Sequence, residues 1–147
     1  MNVIPLIGAH LKSDDIIDFR EHWEAVVFST SIDYMRTRQM HIVSQSPLLE
    51  WNFFFDANQI LKTLFLQVAA TDEIAPFDIA NSDVAFWKST DEARQFAASQ
   101  RLTATEGSAL FLGVLRDWIK LNHGAHTSHY EFVGRKLNTV TLAIPMG

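Results

Sequence analysis

Two segments of this chain carry the same signal for the start of a helix, and this repetition limits the folds that the chain can adopt. In the first segment Ser13 precedes two acidic residues, and in the second Ser89-Thr90 precedes Asp91-Glu92. A serine before a helix accepts a hydrogen bond from the first turn, where acidic residues also favour the positive end of the helix dipole. Apolar residues then recur at helical spacing between residues 16 and 27, at Ile16, Phe19, Trp23, Val26 and Val27. The pattern predicts two amphipathic helices.

Strand-like sequence follows each predicted helix. In the first half, residues 34–43 alternate, residues 51–55 are aromatic and residues 60–68 are apolar, which predicts three antiparallel strands. The second half repeats parts of these segments in the same order, at residues 117–120, 130–132 and 137–142. The sequence therefore predicts an α+β fold with two similar helix-plus-three-strand units, at about residues 12–68 and 88–144. We expect one antiparallel sheet with both helices packed on one face.

Two segments do not follow this pattern. Residues 70–84 contain Pro76 and several acidic residues without a sustained period, and they are predicted to form a loop between the units. The apolar run at residues 109–115 fits either a short helix or a buried strand. Within residues 103–116 we predict a short helix that is capped at Thr105.

Composition limits the function classes. The 147 residues, 48% of them hydrophobic, are sufficient for one domain with its own core. A net charge of -5 disfavours binding to nucleic acid, and the lack of cysteine excludes disulfides and thiolate nucleophiles. No stretch approaches the roughly 20 apolar residues that a membrane span needs. We therefore expect a cytoplasmic protein that binds neither nucleic acid nor membrane.

Three segments, at residues 60–66, 84–92 and 137–144, together with the acidic loop, resemble small bacterial immunity proteins of polymorphic or contact-dependent growth inhibition toxin systems. The resemblance covers about residues 50–144 and lies in hydrophobic patterns rather than in a signature residue. It implies a non-enzymatic antitoxin without a cofactor, which neutralises its cognate toxin by blocking the active site or the substrate surface. An acidic protein is compatible with a nuclease toxin, because such a toxin needs a basic surface.

Candidate partner contacts lie in the acidic loop and in the aromatic run. Asp72, Glu73 and Asp78 would accelerate association with a basic toxin, and Phe77 would anchor the contact. Trp51 is a further candidate because tryptophan is enriched at the centres of interfaces. The loop would equally serve as a solvated connector. Burial of the aromatic run between two copies, in a homodimer, is compatible with the same sequence.

A second hypothesis comes from three histidines. His123, His126 and His129 are spaced three residues apart, and imidazoles are frequent metal ligands. They would make the chain a ligand-binding or metal-binding enzyme domain that uses the cleft between the two units. Surface histidines on a polar hairpin would give the same spacing. The sequence contains neither a glycine-rich phosphate loop nor the Gly-x-Ser-x-Gly motif of a nucleophilic serine.

Overall fold

An antiparallel sheet with helices on one face forms the body of the molecule, as predicted for an α+β fold. The computed structural model describes residues 1–29, 38–42, 49–68 and 77–145, and the statements below concern these residues. The helices are a 3-10 turn at Ile4–Leu6, α1 (Asp14–Trp23), α2 (Phe77–Ala80) and α3 (Thr90–Ser99). The strands are β1 (Val26–Ser29), β2 (Arg38–Ile42), β3 (Leu49–Phe55), β4 (Leu61–Val68), β5 (Thr103–Phe111), β6 (Val114–Asn122), β7 (Thr127–Val133) and β8 (Lys136–Ala143). None of the helices in these ranges has the length and apolarity that crossing a membrane requires.

Both predicted helix starts are confirmed. The Ser13 side chain accepts a hydrogen bond from the Ile16 N–H at 3.4 Å, and Ser89 accepts one from the Glu92 N–H at 3.3 Å. The Glu92 carboxylate in turn accepts a hydrogen bond from the Lys88 N–H at 2.8 Å. These contacts satisfy backbone donors that a helix start otherwise leaves unpaired.

The strand order is β1-β2-β3-β4-β8-β7-β6-β5, with every pairing antiparallel. Each of the two long helices is therefore followed by four strands, whereas the sequence predicted three. The additional strand of the first half is β1, which follows α1 directly and contains Val26 and Val27, so the prediction of helical spacing as far as residue 27 is wrong for these two residues. Helix α1 ends because Glu24 adopts the left-handed conformation, with φ 51°. Within the described residues, β4 and β8 join the two halves at the centre of the sheet.

The prediction of a helix at residues 103–116 is wrong. This segment forms β5 and the beginning of β6, and the two strands are joined by a two-residue turn at Leu112-Gly113. Gly107 and Gly113 weaken a helix, and all nine β5 residues lie in register with β6, so the strand pairing determines the structure of this segment. In the predicted loop, residues 77–80 form α2, and the buried Ile79 holds this short helix to the core.

The core lies between the sheet and the helices. Alternate residues of the central strands are buried: Leu61, Leu64 and Leu66 in β4, and Leu137, Val140 and Leu142 in β8. Strand β4 has one extra residue opposite Phe54 and Phe55 of β3, and β8 has one opposite Glu131 and Phe132 of β7. The pairing register shifts by one residue at each of these places. The buried residues of β4 and β8 therefore form one apolar surface where the two halves meet.

Candidate functional site

The β5–β6 hairpin ends in four large apolar side chains that the fold leaves exposed. Leu110, Phe111, Leu112 and Val114, called the apolar tip below, are 73%, 67%, 86% and 42% exposed. Scattered apolar side chains are common on protein surfaces, but these four are nearly consecutive in the chain. The apolar tip therefore places four exposed apolar side chains at one end of the hairpin, where they are available for contact with another molecule.

The geometry of the turn does not favour a leucine at position 112, at the end of the apolar tip. Leu112 and Gly113 have φ of 50° and 77°, the left-handed conformation at both positions that a type I′ turn requires. Asparagine or aspartate followed by glycine suits this turn, whereas a leucine pays a steric cost there. Leu112 thus combines backbone strain with the highest exposure of the exposed large apolar residues. Such a combination is typical of residues kept for contact rather than for stability.

The base of the hairpin is fixed on both faces of the sheet. On the helical face, the Arg94 guanidinium donates to the Glu106 carboxylate at 2.8 and 2.7 Å and also pairs with Asp91. The hydrogen bond from Arg94 lowers the pKa of Glu106, so this carboxylate remains charged. On the opposite face, the Trp118 indole lies directly over Gly107, where a Cβ would be 2.8 Å from the ring. These contacts position the apolar tip.

Strand β5 lies at the edge of the sheet. Among the described residues, its outer side pairs with no strand, and the nine-residue segment contains neither proline nor lysine. Those residues commonly protect exposed edges from pairing with another chain. The β5 edge therefore offers backbone donors and acceptors next to the apolar tip, as in complexes formed by strand addition.

A cavity of about 220 Å³ lies beneath α3, against β6, β7 and β8. Its aromatic wall consists of Trp87, Phe96 and Tyr130, and aliphatic side chains such as Leu121 and Leu142 complete it. The ring centroids of Trp87 and Phe96 are 4.8 Å apart, and those of Trp87 and Tyr130 are 6.3 Å apart. We call this cavity the histidine pocket, because two histidines form its polar end.

The polar end contains His123, His126 and Ser128. The two imidazole rings stack with centroids 4.4 Å apart and planes 5° apart, and His123 Nε2 lies 2.7 Å from the Ser128 Oγ. Burial lowers the pKa of both histidines; His126 lowers that of His123 further, and Asp83 opposes the effect at His126. Both rings are therefore neutral at pH 7, which permits close stacking.

The third predicted histidine lies on the other face of the sheet. His129 alternates with the buried Ser128 and Tyr130 along β7, and its ring contacts Trp118 at 5.5 Å. The structure thus brings His123 and His126 together but separates them from His129. Within the described ranges, no three histidine, aspartate or glutamate side chains are placed to bind a metal ion.

The predicted partner contacts have different outcomes. Trp51 is fully buried in the core, because it lies on the helical face of β3 together with Phe53, and this corrects its assignment as a partner contact. Asp72 and Glu73 lie outside the described residues. Phe77 and Asp78 are the first two residues of α2, and for these two residues only the backbone is described. The predicted loop contact is therefore untested.

The sequence analysis missed the apolar tip. The sequence contains a signal for this hairpin, because the dipeptide Leu112-Gly113 separates the apolar runs at 109–111 and 114–115. That arrangement is typical of a tight hairpin, although Leu-Gly is an uncommon turn sequence. No protein-family model, curated protein or solved structure matches this chain.

Proposed function

We propose that this protein is a cytoplasmic immunity protein, which binds a cognate bacterial toxin and blocks its active site or substrate surface. The observation that carries the proposal is the apolar tip, with a strained and highly exposed Leu112 at its end. The end of a two-stranded ribbon is narrow, so it would fit a concave surface on a partner. The active-site cleft of an enzyme is such a surface.

Charge supports a basic toxin such as a nuclease. The chain has a net charge of -5, and Asp91 and Glu106 lie near the base of the hairpin around Arg94. Carboxylates around an apolar contact accelerate encounter with a positively charged partner, while the apolar side chains provide most of the affinity. We therefore expect the association rate to fall as the salt concentration rises.

The proposal extends to the origin of the fold, which we infer to be two copies of one helix-plus-four-strand unit. Lys62 in β4 and Asn138 in β8 are the extra residues at the two register shifts, and each follows a buried leucine. Phe65 and Thr141 each lie three residues after these extra residues, so they occupy equivalent positions in the two copies. In the pairing of β4 with β8 they lie opposite each other. A two-fold relation between the halves would produce this self-pairing.

The experiment compares the wild-type protein with Leu112→Asn. Asparagine suits the left-handed turn, so the variant should fold and gain roughly 0.5 kcal/mol of stability, while losing the apolar contact. Tagged proteins are used to capture partners from lysate of the producing cells, and the partner retained stoichiometrically is identified by mass spectrometry. Co-expression then tests whether wild-type protein, but not Leu112→Asn, protects cells from that partner.

Ile17→Asn is the matched control, because Ile17 is also a large apolar residue, 37% exposed, but lies on α1. We expect this control to retain the partner and the protection. The proposal fails if Leu112→Asn protects as well as the wild type does, or if the captured partner is harmless to cells.

A further inference from the structure

No residue that lines the histidine pocket belongs to the apolar tip. We propose that it binds a small, uncharged aromatic molecule that carries one hydrogen-bond donor. The aromatic wall would hold the ring of this ligand, and His126 would accept its hydrogen bond. This proposal rests on the pocket alone and is independent of the proposed function.

Size and shape favour a ligand of one or two rings. The pocket encloses about 220 Å³. An apolar protein cavity of about 150 Å³ is known to hold benzene, so there is room here for a bicyclic compound or a substituted ring. Trp87, Phe96 and Tyr130 present three rings to this space, and aromatic pairs contribute attraction beyond the area that they bury.

The polar end supplies one free acceptor. His123 Nε2 is already bonded to the Ser128 hydroxyl, at 2.7 Å. His126 stacks on His123, and in the part of the chain that the structure describes its ring nitrogens make no hydrogen bond. Since a neutral imidazole has one acceptor nitrogen, His126 can accept a hydrogen bond from a ligand N–H or O–H.

Charge at the pocket disfavours anions. Asp83 lines the pocket, and its carboxylate oxygens accept hydrogen bonds from the backbone N–H groups of Val3 and Ile4, at 2.8 and 3.0 Å. These contacts hold a negative charge at the wall. Burial lowers the pKa of the two histidines, so neither supplies a compensating positive charge at pH 7. An uncharged ligand avoids repulsion from Asp83.

Three matched probes test this assignment on the intact protein. Indole has the expected ring system and one N–H donor, indene has the same shape without the donor, and indole-3-carboxylate adds a negative charge. We expect indole to cause saturable NMR shifts at the His126 ring and the Val84 methyl groups. Indene should bind about five- to tenfold more weakly, as loss of one hydrogen bond predicts, and indole-3-carboxylate more weakly still.

Two variants locate the contact. His126→Ala should reduce indole affinity about five- to tenfold and remove the preference over indene, whereas His129→Ala on the opposite face should change neither. The proposal is overturned if indole gives no saturable shift in the wild-type protein, if indene or the carboxylate binds as well as indole, or if both variants behave alike. The wild-type measurements decide the matter even if a variant does not fold, and none of them depends on a toxin.

Discussion

Two buried aromatic residues, one in each half, differ in how their polar atoms are satisfied. Tyr130 is buried on β7, and its hydroxyl donates a hydrogen bond to the Ala85 carbonyl at 2.7 Å. Burial raises the pKa of this hydroxyl, which therefore remains a donor. Trp51 is fully buried on β3, and among the described residues its indole N–H has no hydrogen-bond partner. An unsatisfied buried donor costs about 1–3 kcal/mol.

This difference predicts an unusual order of stabilities. Trp51→Phe leaves a small void but removes the unsatisfied donor, so we expect the free energy of unfolding to change by less than about 1 kcal/mol. Tyr130→Phe preserves the ring but deprives the Ala85 carbonyl of its partner, and should cost about 1–2 kcal/mol. Urea denaturation measures both. A larger loss for Trp51→Phe than for Tyr130→Phe would contradict the assignment of these two polar atoms.

The stacked histidines predict a pH dependence of stability. Burial lowers the pKa of His123 and His126 in the folded state, whereas unfolded histidines titrate near their ordinary value of about 6.5. Below about pH 6.5 the unfolded state therefore binds more protons, and the free energy of unfolding falls as the pH decreases.

Denaturation at several pH values between about 7.5 and 5.5 tests this prediction, in a window chosen to limit carboxylate titration. The wild-type protein should lose stability across this window. A His123→Gln/His126→Gln double variant should show a shallower dependence, because it lacks both groups. Parallel curves for the two proteins would rule out the histidine pair as the cause.

At the scale of strands, packing of Trp118 on Gly107 joins β6 to the edge strand β5. A Cβ at Gly107 would lie 2.8 Å from the indole ring, closer than van der Waals contact allows. We expect Gly107→Ala to cost about 1–3 kcal/mol, and Trp118→Leu to recover part of this loss in the double variant. Ser108→Ala, at the adjacent exposed position, is the control and should change stability by less than about 0.5 kcal/mol. Additive losses in the double variant would show that the two residues do not interact.

The elements that local signals specify were predictable from the sequence. Ser13 and Ser89 begin helices because their side chains bond to backbone atoms three residues away, and such contacts depend little on the rest of the fold. The segment at 103–111 has no comparable local signal, and pairing with β6 determines its structure. The spacing of His123 and His126 indicated a shared site, but strand alternation in β7 places His129 on the opposite face. Exposure of Leu112 and burial of Trp51 depend on tertiary packing, which local sequence patterns do not specify.

At the scale of the whole molecule, one apolar core spans both halves. The buried residues of β4 and β8 belong to the same cluster as those of α1, α3, β2, β3, β6 and β7. The N-terminal segment adds backbone hydrogen bonds to the rest of the chain, from the Gly8 N–H to the Leu61 carbonyl at 2.8 Å and from the Asp83 N–H to the Met1 carbonyl at 3.1 Å. Neither half therefore has a complete core of its own.

A shared core predicts a single cooperative unfolding transition. Circular dichroism reports on the whole sheet, whereas tryptophan fluorescence reports on Trp23 and Trp51 in the first half and on Trp87 and Trp118 in the second. We expect the two signals to give coincident denaturation curves with one midpoint. Val140→Ala, at the junction of the halves, should lower that midpoint for both signals equally. Two separate transitions would show that the halves are stable independently.

The pairing of β4 with β8 also has a consequence for the order of events during synthesis. Strands that follow one another in the chain pair locally and form within microseconds, whereas β4 and β8 must close a long loop before they meet. Since β8 leaves the ribosome after the other seven described strands, β4 remains until then an unpaired edge with core leucines on one face. We therefore expect the chain to be most prone to aggregation, and most dependent on a chaperone, after its first half has been synthesised and before β8 is available.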